Sequence, residues 1–191
     1  MALTEIEFEL SPRQHELMGY PWLRQGQPLS VLLDAGVLLP EPSIFGWFVV
    51  QPEPLTAQLL VVGRGVAAFA GQINAADLVK SPDGESATVL VDCGVARVRV
   101  ACAPQPDGFL PFGTWETRYL IGHGPLYGIV EDDYASPIGE TSEVTIWHFH
   151  RLVLTPGDPH FGKWLTTDDL LPSPSRYDRV IVTARIHRQL V

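Results

Sequence analysis

Two alternating runs meet at Cys93-Gly94, and no other stretch of the chain restricts its folding as tightly. Residues 86 to 92 and 95 to 102 both place small and β-branched apolar side chains at every second position. Strand side chains alternate between faces, so such runs bury one face each. A two-residue turn at Cys93-Gly94 pairs Asp92 with Val95, Val91 with Ala96, Leu90 with Arg97 and Val89 with Val98. That pairing collects Ala87, Val89, Val91, Ala96, Val98 and Val100 on one face, and Thr88, Asp92, Arg97 and Arg99 on the other. A slip of one residue would mix the two sets. The pairing also sets Cys93 at the turn and Cys102 down the arm, ~25 Å away at strand rise. A disulfide needs Cα atoms within ~7 Å, so both thiols are expected to be free.

Two further hairpins follow from turn chemistry. Gly63-Arg64 joins 57–62 to 65–73, with Gly63 in the first turn position, as a type II′ turn prefers. Both arms are apolar on both faces, which predicts a central position covered on each side, or a second copy covering the outer side as a homodimer. His123-Gly124 is read as the turn between 114–122 and 125–131. Glu5, Glu7 and Glu9 alternate with Ile6, Phe8 and Leu10, the pattern of an edge strand with its acids in water. Ser11-Pro12 opens a short predicted helix that ends near Met18. Residues 179 to 191 form a final strand with Val180, Val182, Ala184 and Ile186 on one face.

The 17 glycines and 17 prolines punctuate short apolar runs instead of gathering in a linker. The expected architecture is therefore all-β with minor helix: a single antiparallel β-barrel domain over residues 1–191. Hairpin order makes an OB-like core the leading expectation and a β-sandwich the alternative. No stretch reaches the ~20 apolar residues needed to span a bilayer, so no membrane partner is expected. The acidic, alternating opening differs from a secretory signal, and a cytoplasmic location is expected.

Net charge is −9, unevenly distributed. Residues 1–143 hold 7 basic and 18 acidic side chains (−11), while 144–191 hold 6 basic and 4 acidic (+2). An acidic body argues against general nucleic-acid binding, which neutralises many phosphates with Lys and Arg.

Chemistry concentrates in residues 142–155. Unbroken alternation puts Val144, Ile146, His148, His150, Leu152 and Leu154 on one face and Glu143, Thr145, Trp147, Phe149, Arg151 and Val153 on the other. His148 and His150, with His160 beyond the next turn, are candidate metal ligands, since a catalytic zinc needs three protein ligands and an open position. The spacing resembles the His-x-His of cupins and α-carbonic anhydrases, without the glutamate that follows in the former or the surroundings of the latter. Trp147, Phe149 and Arg151 form the rival site, a stacking platform that Arg185 and His187 of the final strand extend. Glu131, Asp132 and Asp133 lack the ligand spacing of a calcium loop and read as a solvated acidic loop. The sequence thus points to a non-catalytic binding or assembly protein, with a protein partner or self-association. The alternative is a metal-dependent enzyme built on His148, His150 and His160; no cofactor is indicated.

Overall fold

A computed structural model describes residues 4–10, 22–111, 115–130, 138–170 and 177–186. The expected helix at 11–18, the acidic residues 131–133 and His187 lie outside these residues. Among the described residues there are fourteen strands and no helix. They are β1 Thr4–Leu10, β2 Leu23–Arg24, β3 Pro28–Leu38, β4 Trp47–Gln51, β5 Gln58–Gly63, β6 Val66–Ser81 and β7 Gly84–Asp92. There follow β8 Arg97–Cys102, β9 Tyr119–Pro125, β10 Tyr127–Ile129, β11 Thr141–Leu152, β12 Trp164–Thr167, β13 Asp169–Leu170 and β14 Arg179–Ile186. No helix of the described residues is long and apolar enough to cross a membrane.

Five strands close into a barrel in the order β1, β10, β3, β11, β14. The pairs are antiparallel except β1 with β10. The alternating apolar positions dictate the filling: Ile6 and Phe8, Val31 and Leu33, Val144 and Ile146, Val182 and Ala184 are all buried in the core. The ring draws strands from distant parts of the chain, not from the consecutive hairpins on which an OB-like core was expected.

Five further strands continue from the second half of β3, through β8, β7, β6 and β9 to β4. A single parallel bridge, Leu39 with Trp47, returns this path to the end of β3, where the Phe48 N–H donates to the Leu39 carbonyl at 2.9 Å. Val89, Val91, Val98, Val100, Phe48, Phe69 and Leu120 are buried within it. β3 therefore serves two rings, and its pairing shifts between Asp34 and Val37, where it passes from one to the other.

The expected faces of the Cys93-Gly94 hairpin are present, but the register differs. Asp92 pairs with Arg97, Val91 with Val98 and Val89 with Val100, a shift of two residues. A two-residue shift leaves every side chain on its face, so facial sorting cannot detect it; the turn decides. Here the Asp92 carboxylate accepts the Gly94 N–H at 2.9 Å, and the Cys93 N–H donates to the Ala96 carbonyl, which makes a wider loop. Both cysteines are free and buried.

Four other expectations are corrected. The first hairpin turns at Arg64-Gly65, with the positive φ of 63° at Gly65 and not Gly63. His123-Gly124 is no turn: β9 runs straight through it, paired with β4 and β6. Gly122 and Gly124 are there because a Cβ would stand 2.7 Å from the Phe69 ring and 2.8 Å from Leu38, so they mark close packing. β1 is no edge; it lies between β14 and β10, and Glu9 is buried in a two-pronged pair with Arg179, at 2.9 and 2.6 Å. β5 is not central either. Among the described residues it pairs with β6 alone and leaves Leu60, Val61 and Val62 exposed.

Candidate functional site

The pairing of β11 with β14 advances by one residue on β14 and two on β11 between Ile146–Ala184 and His148–Thr183. This bulge re-aims the side chains beyond it, as bulges do. Val144 and Ile146 point inward before it and Phe149 after it, while Trp147, His148 and His150 escape the core. Unbroken alternation had divided these residues between two faces; the extra residue unites Trp147 with both histidines on the outer face of the barrel.

On that face the guanidinium of Arg185, from the neighbouring β14, lies 3.8 Å from the centre of the Trp147 ring. The His148 ring meets the same indole edge-on at 5.3 Å. A cation over an indole face is an attractive pairing. His148 Nδ1 lies 3.3 Å from an Asp168 carboxylate oxygen, and His150 Nδ1 lies 3.1 Å from the Thr166 hydroxyl on β12. Burial, then the nearby Arg64 and His148, hold the His150 imidazole below its ordinary pKa, and Glu7 opposes them. Arg64 reaches this face from the β5–β6 turn and lies 4.7 Å above the Trp164 ring of β12. Trp164 stands opposite Leu152 on β11.

The other candidate residues go elsewhere. Phe149 is 0% exposed and belongs to the core, so it is no part of a surface platform. Arg151 is committed to Asp178, whose side chain is wholly inaccessible. Asp178 also accepts the Leu154 N–H at 2.7 Å, the Thr155 N–H at 3.1 Å and the Thr155 hydroxyl at 3.0 Å. His160 sits in the turn after β11, its Nδ1 3.3 Å from Asp158. Among the described residues no three His, Cys, Asp or Glu side chains are grouped to hold a metal ion. Cys93 and Cys102 offer no reactive thiolate, because burial pushes both thiols far above their ordinary pKa.

Sequence reasoning missed two companions of Trp147: Trp164 with Arg64, and Trp22 with Arg24, whose guanidinium lies 3.8 Å from the Trp22 ring centre. The second pair was legible only as two residues close in sequence, since Trp22 lies just before β2. The first was not, because Arg64 and Trp164 meet only in the folded chain. Comparison with protein-family models, with curated proteins and with solved structures finds no match for this chain.

Proposed function

We propose that this protein is a non-catalytic binding or assembly protein that engages a partner protein on the outer face of β11, around Trp147 and Arg185. The observation that supports this reading is an indole left 38% exposed and stacked against an arginine on a rigid, closed barrel. Tryptophan and arginine are the residues most enriched among those that dominate binding energy at protein interfaces. A preformed stack loses little side-chain freedom on binding. Two free thiols fit a reducing, cytoplasmic compartment. The test is retention of wild-type protein on an array of defined immobilised peptides, repeated with Trp147→Ala and Arg185→Ala. Retention lost in both variants, with unfolding temperatures near wild type, supports the reading. No peptide retained by wild type, or equal retention by the variants, overturns it.

The exposed β5 supports self-association as a second component. Residues 58–63, the whole of β5, carry neither a charge nor a proline, whereas natural edge strands are guarded by charges or prolines placed along them. A second copy laying its own β5 antiparallel against this edge would satisfy the free backbone groups of both strands. It would also bring two chains of −9 together along an uncharged seam. Sedimentation at tens of micromolar should give twice the 21.0 kDa chain mass, and the chain mass for Val61→Lys. A wild-type mass near 21.0 kDa overturns it.

A further inference from the structure

Apart from Arg118, the arginines among the described residues divide into two groups. Arg97, Arg99, Arg151 and Arg179 are each paired with a carboxylate: Glu140, Asp34, Asp178 and Glu9. Arg24, Arg64 and Arg185 have no ion pair among the described residues, although the chain holds 22 acidic side chains. Each of these three instead lies over the ring of a tryptophan: Trp22 at 3.8 Å, Trp164 at 4.7 Å and Trp147 at 3.8 Å. Those three tryptophans are the exposed ones, and the other two, Trp47 and Trp115, are half-buried and buried.

A guanidinium stacked on a ring has its plane fixed and its N–H groups directed sideways, open to a planar oxyanion. Two of the stacks share the outer face of the β11–β12 pair, with His148, His150 and Thr166 between them. The third lies beside them. Arg24 is two residues from Gly26, whose N–H donates to the carbonyl of Ile146 at 2.8 Å, next to Trp147. Carboxylates stand beside these residues: Glu5 opposite Arg185, Asp168 on His148, and Asp169 opposite Arg24. A continuous polyphosphate would be repelled at these points, whereas carboxylates spaced along a polypeptide can meet the guanidiniums and avoid the acids.

We infer that the three tryptophan–arginine stacks form one docking surface for a protein segment carrying spaced acidic side chains. The inference rests on the binding role proposed above and names the chemistry of its partner. The whole chain is titrated at low salt, with tryptophan fluorescence as readout. The probes are a peptide of alternating glutamate and serine, the same peptide with glutamine for glutamate, and oligo(dT). Only the glutamate peptide should bind, and it should weaken as salt rises. Arg24→Gln, Arg64→Gln and Arg185→Gln should each weaken it by about 3- to 10-fold, the range of one exposed charge-assisted hydrogen bond. Arg185→Lys should weaken it too, because an ammonium lacks the stacked fork. Lys80→Gln, remote and exposed, should change nothing. Tighter binding of oligo(dT), equal binding of the glutamine peptide, or equal weakening by Lys80→Gln overturns the inference. If none of these probes binds while array peptides still depend on Trp147, the acidic partner is wrong and the binding role stands. If array binding is absent as well, the binding role itself falls.

Discussion

Trp147 and Phe149 are two residues apart on one strand, yet Phe149 is sealed in the barrel core and Trp147 stands outside under Arg185. The bulge between Ile146 and His148 separates their roles. Phe149→Ala should therefore cost about 3–5 kcal/mol, the range for a buried aromatic truncated to alanine. Trp147→Ala should cost about 1 kcal/mol or less, mostly the lost contact with Arg185. Urea denaturation of the two variants beside wild type measures the difference, and equal losses would contradict the placement.

Asp178 ties the exit of β11 to the entry of β14. Its burial disfavours the carboxylate, but the Leu154 N–H, Arg151 and Thr155 outweigh it and hold the pKa below the ordinary range. Asp178→Ala strands these donors and should destabilise by about 2–4 kcal/mol. For a carboxyl with a lowered folded pKa, the stabilisation is complete above the ordinary aspartate value and is lost as pH falls through the folded one. Denaturation midpoints followed from pH ~5 to ~2.5 should show this acid loss in wild type and a smaller one in Asp178→Asn.

His150 works in the opposite sense. Burial and then Arg64 lower its folded pKa, so the unfolded chain takes up the proton first. Stability is then highest above about pH 6.5, the unperturbed imidazole value, and falls as pH drops from there through the lowered folded value. His150→Gln should flatten the decline in unfolding temperature between pH ~7 and ~5. An unchanged slope would show that His150 contributes nothing to it.

Gly71 lies on β6 where a Cβ would stand 1.8 Å from the carbonyl oxygen of Asp92. The obstacle is backbone, so no rotamer relieves it. Gly71→Ala should force β6 and β7 apart and cost about 2–4 kcal/mol, through strain and lost ladder bonds. Amide hydrogen exchange should show protection falling first along residues 72–73 and 91–92, which pair beside it.

Alternation is a strong signal because it survives most errors, and for the same reason it hides some. The buried face of Ala87, Val89, Val91, Val98 and Val100 was legible, as was that of Val180, Val182, Ala184 and Ile186. The two-residue shift at Cys93-Gly94 was invisible, since a period of two returns the same faces. A one-residue insertion does the reverse. The bulge at Trp147 leaves no mark in the composition but inverts everything after it, so the histidines and the aromatic platform read as rivals when they are neighbours. Glycine was ambiguous in another way: Gly122 and Gly124 suit a turn or a close approach, and only the positions of Phe69 and Leu38 decide. The apolar 59–62 run was read through the premise that apolar faces are covered, and β5 leaves part of it bare.

The order in which the strands leave the ribosome bears differently on the two rings joined at β3. The ring closed by the Leu39–Trp47 bridge uses β3, β4, β6, β7, β8 and β9, all between Pro28 and Pro125. It has every partner it needs while much of the chain is still unmade. The five-stranded ring holds β1 and β14 side by side, from Thr4–Ile186 to Glu9–Ile181. Its first strand must wait, apolar face exposed, until the last has been synthesised. A chain that reaches only as far as β9 holds every strand of the first ring, whereas the surface bearing Trp147 and Arg185 needs β11 and β14 as well.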